Sequence, residues 1–208
     1  MNMFLNDLGQ PLILDAQKKY GPFEQRNGAL VLTSAAFKEH VVPTEWCACI
    51  IGSEEHMLRL RSQDNCKEVY KYCTRQVISP NKPTEVTFDQ TKITLTLIPV
   101  GKSKDGMNMT MYCIENGHTR TLIVDELSEY LDFLPKACAS FHRALGEGID
   151  ILYIDDALLG EKEFIPDLYA FVDLIRPKHI YGLRNNRLPK WLLDLCVQRD
   201  LYPRSIVL

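Results

Sequence analysis

The chain has 208 residues, of which 46% are hydrophobic and 25% charged, and its formal charge is −3 with an isoelectric point near 6.0. This composition is that of an ordinary soluble globular protein, and we expect a single domain spanning residues 1–208. The small acidic excess argues against general binding of nucleic acid or anionic membranes, because both require a basic surplus. No apolar run approaches the ~20 residues that a membrane-spanning helix needs.

The cysteines and histidines give no sign of a disulfide framework or a conventional metal site. The seven cysteines are an odd number without a repeating spacing, and no Cys-x-x-Cys occurs. We therefore expect reduced, buried cysteines in a cytoplasmic protein, in keeping with an N-terminus that lacks the features of a signal peptide. The five histidines never form His-x-His, His-x-x-x-His or His-Glu-x-x-His, the spacings that bring several imidazoles to one zinc ion.

The N-terminal part of the chain predicts short buried strands followed by short helices. Segment 28–33 is a compact apolar run typical of a strand between two layers, and segment 34–43 is either a short helix or an irregular loop. Ser53 is predicted to cap a helix, because its hydroxyl can accept a first-turn amide proton and acidic residues follow it. Strands are predicted at 11–14, 28–33, 46–51 and 75–78, and helices at 54–60 and 64–72.

Residues 84–126 predict four strands and two tight turns. Segments 85–88 and 92–98 alternate threonine with apolar residues, which predicts one buried face for each strand. Asn116-Gly117 predicts a type I′ hairpin turn, because that turn needs positive φ at both central residues. Beyond this region we expect a helix that starts at Ser128 or Asp132, strands at 149–154 and 178–182, helices at 163–175 and 189–199, and an edge strand at 204–208. In the helix at 163–175, the helical spacing places Phe164, Leu168, Phe171 and Ile175 on one side.

Two predicted strands end in paired acids, Asp125-Glu126 and Asp155-Asp156. An apolar strand followed by an acid is the pattern that holds magnesium in nucleotide hydrolases, and α/β folds place their sites at the carboxyl ends of strands. The companion phosphate loop is missing, because Gly101-Lys102-Ser103 has threonine rather than glycine five positions earlier. The acids are therefore either structural or part of a site of another kind.

Two further segments allow a functional and a structural interpretation. Ser34 stands between a strand and a possible helix, like a nucleophile elbow, but Leu32 and Ala36 replace the glycines of that motif. Arg184 and Arg187 flank two asparagines and could accept an acidic or phosphate group, although a solvated loop has the same composition.

From about residue 28 to residue 183, the order of these segments resembles that of a metallo-β-lactamase superfamily domain. The resemblance implies an α/β fold, a four-layer αββα sandwich with mixed sheets and with metal ligands on loops at one edge of the two sheets. Segment 30–40 is similar to the motif Thr-His-x-His-x-Asp-His of the family. Ser34 and Ala36, or Ala35 and Phe37, stand at its first two histidines, and in the second alignment Glu39 and His40 stand at Asp-His.

The later motifs of the family are also incomplete. Segment 92–98 resembles the strand that leads to the next ligand histidine, but Val100-Gly101 stands at that point. Asp125 or Glu126 matches the aspartate that bridges two metals, segment 149–155 resembles the strand that follows, and no histidine occurs near Leu183. At most His40 and one carboxylate remain of about six or seven ligands, too few to fix a zinc geometry.

The resemblance therefore implies a pseudo-hydrolase without catalytic residues, bound metal or cofactor, which acts through a protein partner or through self-association. Its binding surface would be the rim of the former site, hereafter the candidate rim, which consists of Ser34, Glu39, His40, Gly101, Asp125, Glu126, Asp155, Arg184 and Arg187. The alternative is a hydrolase of phosphoesters or nucleotides that uses the acids at 125–126 and 155–156 with magnesium or manganese. A different α/β fold is the third possibility.

Overall fold

The computed structural model describes residues 3–4, 12–14, 29–31, 46, 48–64, 67–88, 91–102, 106, 108–124, 139–154, 165–182, 188–198 and 202–203. The chain divides into two compact units, Met1–Leu97 and Ile98–Leu208. The expectation of a single domain over residues 1–208 stays a prediction.

A five-stranded sheet lies in the first unit, with its strands in chain order. The strands are β1 Met3–Phe4, β2 Leu12–Leu14, β3 Ala29–Val31, β4 Cys49–Gly52 and β5 Arg75–Val77, and the helices are α1 Glu54–Ser62 and α2 Lys67–Tyr72. β1 and β2 are antiparallel, whereas β2 to β5 run parallel. Ala29, Val31, Ile50 and Ile51 are fully buried, which explains why these strands are apolar without alternation.

The predicted cap of the first helix is confirmed. The Ser53 hydroxyl accepts a hydrogen bond from the backbone N–H of His56 at 3.0 Å, and Glu54 and Glu55 occupy the first turn of α1. Met57 and Leu60 are buried, so this helix anchors itself by one apolar face. The strand predicted at 46–51 starts later, at Cys49, whose carbonyl accepts a hydrogen bond from the Trp46 indole at 3.3 Å.

A seven-stranded mixed sheet has the order β12-β11-β10-β9-β8-β7-β6. Its strands are β6 Thr84–Phe88, β7 Thr91–Lys102, β8 Asn108–Asn116, β9 Thr119–Val124, β10 Ile151–Ile154, β11 His179–Gly182 and β12 Tyr202–Pro203. The pairs β6–β7 and β8–β9 are antiparallel, and β9 to β12 are parallel. The edge strand predicted at 204–208 lies outside the described residues.

The hairpin between β8 and β9 forms where the sequence predicts it, but the predicted turn type is wrong. Asn116 pairs with Thr119, so the two central residues of the turn are Gly117 and His118. Gly117 has a φ of 58°, whereas neither Asn116 nor His118 has a positive φ. A positive φ at the first central residue alone is the feature of a type II′ turn, and Asn116 remains in the strand.

The alternation predicted for β7 holds only for its first half. Ile93 and Leu95 are buried while Lys92 is exposed and Thr94 half-buried. From Leu95 to Ile98 every side chain is buried, including Thr96. The threonine at 96 therefore does not mark a solvent face.

Three helices, α3 Ala139–Glu147, α4 Ile165–Ile175 and α5 Lys190–Gln198, contribute to the core of the second unit. The residues predicted to line one side of the helix at 163–175 include Leu168, Phe171 and Ile175, and all three are buried in this core. They pack with strand residues that face the helices: Val100, Met109, Met111, Cys113, Leu122, Val124, Leu152, Ile154 and Ile180. The predicted helix starts at Ser128 and Asp132 lie outside the described residues.

A polar cluster joins the amino-terminal ends of β9, β10 and β11 to the end of α3. The Arg120 guanidinium contacts the Glu147 carboxylate at 2.7 Å and donates to the carbonyls of Glu147 and Gly148 at 3.0 and 2.9 Å. The backbone N–H of Arg120 and the ammonium of Lys178 donate to the two oxygens of Asp150 at 2.8 and 2.6 Å. The cluster thus satisfies the carbonyls at the helix end and ties three strands together.

Asp150 is ionised within this cluster. Partial burial raises the pKa of Asp150, but the hydrogen bonds from Lys178 and from the Arg120 backbone, together with both cationic charges, hold it below its ordinary value. The carboxylate therefore accepts from two strands at neutral pH.

We predict that Arg120→Ala lowers the free energy of unfolding by about 2 kcal/mol, because charge-assisted hydrogen bonds to a helix end and to Glu147 are lost together. Lys92→Ala is the matched control, since its ion pair with Glu85 leaves 68% and 64% of the two side chains exposed. An exposed pair of this kind contributes less than about 1 kcal/mol. Denaturant unfolding measures both variants, and equal losses would contradict the structural role of the cluster.

Candidate functional site

The carboxyl ends of three parallel strands are aligned at one edge of the seven-stranded sheet. Val124 of β9 pairs with Ile154 of β10, which pairs with Gly182 of β11. The chain therefore leaves these three strands at the same level of the sheet. This is the edge at which α/β folds place their binding sites.

The face of this sheet that points away from the helices carries a row of aromatic residues just before that edge. Strand pairing places Tyr112, Ile123, Tyr153 and Tyr181 side by side across β8 to β11. The rings of Tyr153 and Tyr181 stack with their centroids 5.1 Å apart and an interplanar angle of 24°. All four side chains, three tyrosines and one isoleucine, are buried, so the row is a packed apolar layer next to this edge.

Thr110 lies beyond Tyr112 on the same face of β8, because the residues on either side of it, Met109 and Met111, belong to the helix-side core. Its side chain is 3% exposed, and its hydroxyl has no hydrogen-bond partner. An unpaired buried hydroxyl costs roughly 1–3 kcal/mol. The alternation of β8 could have placed Thr110 and Tyr112 on this face, but the sequence interpretation did not single them out.

Eight of the nine residues of the candidate rim lie outside the described residues. Ser34, Glu39, His40, Asp125, Glu126, Asp155, Arg184 and Arg187 lie outside the described residues, as does Asp156. What the structure does bring together is the strand ends that precede Asp125, Asp155 and Leu183 in the sequence. The proximity of these side chains stays a prediction.

Gly101 is the one member of the candidate rim within the described residues. It lies near the end of β7, is exposed, and has φ of 127°. Side chains with a Cβ rarely adopt this conformation, and a residue forced into it costs roughly 1–3 kcal/mol. The backbone therefore favours glycine at the position where the family resemblance expects a ligand histidine.

We predict that Gly101→Ala lowers the free energy of unfolding by about 1–2 kcal/mol, because alanine must adopt a strained φ. Gly146→Ala is the control, and we expect it to change the free energy of unfolding in the opposite direction. Gly146 is exposed in α3, and a Cβ added there meets no atom within 4 Å. Alanine there should stabilise the helix by about 0.5 kcal/mol. Thermal or denaturant unfolding compares the two, and a neutral Gly101→Ala would show that the backbone does not dictate this glycine.

Three of the four described cysteines agree with the expectation of buried thiols, whereas Cys49 is half-buried. Cys73, Cys113 and Cys196 are buried. Burial raises the pKa of the Cys113 thiol to about 12 and that of the Cys196 thiol to about 11. Both thiols are therefore protonated at neutral pH, whereas a nucleophile or zinc ligand needs the thiolate.

Within the part of the chain that the structure describes, no group of three or more His, Cys, Asp or Glu side chains is placed so that it could hold a metal ion. Among the same residues, no helix is long and apolar enough to cross a membrane.

No protein-family model matches the chain, and no curated protein matches it in sequence. Solved structures do match. Zn(2+)-bound PqqB from Methylobacterium extorquens is 14% identical, with a TM-score of 0.53 over 93% of this chain and 81% of that protein. The chain has a metallo-β-lactamase-like fold. The predicted fold and the α/β class with a mixed sheet are thus confirmed, and at this identity the likeness extends to the fold alone.

Two further structures give weaker matches. The metallo-β-lactamase fold protein YhfI from Bacillus subtilis is 12% identical, with a TM-score of 0.47 over 93% of this chain and 84% of that protein. Unliganded yeast PDE1 is 13% identical, with a TM-score of 0.46 over 86% of this chain and 66% of that protein.

Proposed function

We propose that this protein is a metal-free member of its fold class, which works in the cytoplasm by binding a protein partner or a second copy of itself rather than by hydrolysis. The observation that carries the proposal is Gly101, whose φ of 127° suits glycine and disfavours the histidine that a metal site would require there. The sequence supports it, since Ser34 and Ala36, or Ala35 and Phe37, replace the first histidines and none occurs near Leu183.

A zinc site needs about four ligands in fixed geometry, or three with an open position. PqqB, which has the same fold, is Zn(2+)-bound. In the present chain the residues that resemble that ligand set are His40 and one carboxylate from Asp125 or Glu126. Two ligands do not define a tetrahedral site, so the residues present do not fit a zinc ion held as the family holds it.

We propose the candidate rim as the binding surface. It combines a histidine and two arginines with several acids, and such mixed charge suits a polar protein surface better than a polyanion. The formal charge of −3 supports the same preference.

We predict that the triple variant His40→Ala, Arg184→Ala, Arg187→Ala weakens partner capture or self-association at least about tenfold, since rim charges and buried contacts each contribute on the order of 1 kcal/mol. Lys82→Ala with Lys92→Ala is the control, because both lysines are exposed in the first unit. Sedimentation velocity measures self-association, and affinity capture from the native host measures partner binding. Equal binding by the two variants would contradict this surface.

The aligned strand ends favour one alternative, a hydrolase of phosphoesters or nucleotides with weakly held magnesium or manganese. β9 and β10 end side by side at Val124 and Ile154, and Asp125 and Asp155 follow directly in the sequence. Carboxylates at adjacent strand ends are the ligands that such metals prefer.

Our proposal predicts no hydrolysis of bis(p-nitrophenyl) phosphate above the buffer rate with Mg²⁺ or Mn²⁺. The alternative predicts activity that falls at least about 100-fold in Asp125→Ala with Asp155→Ala, because the metal loses its ligands. Asp194→Ala is the control, since Asp194 is exposed on α5. If the wild type and Asp194→Ala show metal-dependent turnover and the double variant does not, our proposal is wrong and the alternative is supported.

A further inference from the structure

The first helix begins with an unusual capping box in which a buried histidine replaces the usual acid or amide. The Ser53 hydroxyl accepts from the His56 N–H at 3.0 Å, and the Ser53 N–H donates to Nδ1 of His56 at 3.3 Å. In the common form of this motif, Glu or Gln at the third helical position accepts the returning hydrogen bond. Here the imidazole does so, and it is 1% exposed.

This geometry requires a neutral imidazole. A protonated imidazole carries a hydrogen on both nitrogens, so Nδ1 could no longer accept from the Ser53 N–H. Protonation would also place an unhydrated charge in the interior of the first unit. Burial lowers the pKa of His56 from 6.5 to about 4. The Glu55 charge partly opposes this shift, and the Arg59 charge adds to it.

The charges of α1 act on His56 in opposite directions, since the Glu55 carboxylate raises the pKa of the imidazole and the Arg59 guanidinium lowers it. β4, from which the helix emerges, consists of Cys49-Ile-Ile-Gly52 and carries no charge. α2 packs beside α1, and its described ionisable side chains are the cations Lys67 and Lys71 and the tyrosines Tyr70 and Tyr72. On α1 itself, Glu54 and Glu55 lie in the first turn, and Arg59 and Arg61 in the last.

The capping box lies at the carboxyl end of the parallel strands of the first sheet. β4 pairs with β3 in the register Val31 to Ile51, and α1 starts two residues after β4 ends. β3 ends at Val31, and the sequence then continues into the segment that contains Ser34 and His40.

We propose that His56 is an acid-sensitive latch: its protonation breaks the capping box, opens the start of α1 and loosens this edge of the first sheet. The latch would reduce binding through the Ser34–His40 segment at acidic pH. That regulatory consequence rests on the proposed binding function, whereas the latch itself is tested without any partner.

The direction of the pH effect follows from the two protonation equilibria. The opened segment binds the proton with the ordinary pKa of 6.5, and the closed latch with a pKa of about 4. The open form therefore gains protons first, so the stability of the closed form is fully present above pH 6.5 and is lost as the pH falls toward 4. Between pH 7 and pH 5 the opening equilibrium constant should rise roughly 20-fold.

Amide hydrogen exchange of the whole chain, corrected for the intrinsic pH dependence of exchange, tests the latch. We expect the protection of the His56, Met57 and Leu58 amides to fall roughly 20-fold between pH 7 and pH 5. In His56→Gln, which retains the acceptor of a capping box but cannot be protonated, the change should be less than about threefold. His118→Gln changes an exposed histidine in the β8–β9 turn and should behave as the wild type. The Leu122 and Tyr153 amides of the second unit provide an internal reference.

Flat protection in the wild type, or the same fall in His56→Gln, would overturn the proposal. Titration of the His56 ring protons by NMR gives a second readout that needs no variant. A ring that stays neutral in the closed form well below pH 6 supports the latch, and a midpoint near the ordinary value of 6.5 would also overturn it.

Discussion

The registered pairing of β9, β10 and β11 is the constraint on which the rest of the second unit depends. Val124, Ile154 and Gly182 end these strands at one level, and the cluster around Arg120 and Asp150 fixes the same strands at their opposite ends. A slip of one residue would move every side chain to the other face of the sheet. Helix-facing residues such as Leu122 and Leu152 would then exchange places with the row that contains Tyr153.

In this register, the stabilising polar contacts lie at one end of the parallel strands, and the segments with the candidate functional residues follow the other end. The polar cluster lies at the amino-terminal ends of the parallel strands, and the chain leaves for the acid-bearing segments at their carboxyl ends. In the first unit, α1 and its capping box follow the carboxyl end of β4. Binding surfaces can therefore diverge at one edge without disturbing the contacts that hold the sheet.

Local signals predicted local structure well. Ser53 and the acids that follow it fixed the start of α1, and the Asn116-Gly117 pair marked the hairpin, although the turn uses Gly117-His118. Apolar periodicity also identified Leu168, Phe171 and Ile175 as core residues. Each of these predictions depends on residues a few positions apart.

The sequence could not predict features that depend on distant pairing or on backbone conformation. Arg120 and Asp150 are 30 positions apart, so their hydrogen bond becomes visible only once β9 and β10 are paired. The burial of Thr96 and Thr110 follows from what covers each strand rather than from residue type. The positive φ of Gly101 likewise explains why glycine occupies this position, and the sequence alone does not reveal that φ.

Our central proposal is that this chain combines a metallo-β-lactamase-like fold with the loss of the zinc site. Crystals soaked in zinc chloride and measured above and below the zinc absorption edge test it most directly, because anomalous scattering locates the ion. We predict no ordered zinc at the carboxyl ends of β9 to β11 and none beside the Ser34–His40 segment. An anomalous peak there within about 2.0–2.3 Å of three or more protein ligands would contradict it.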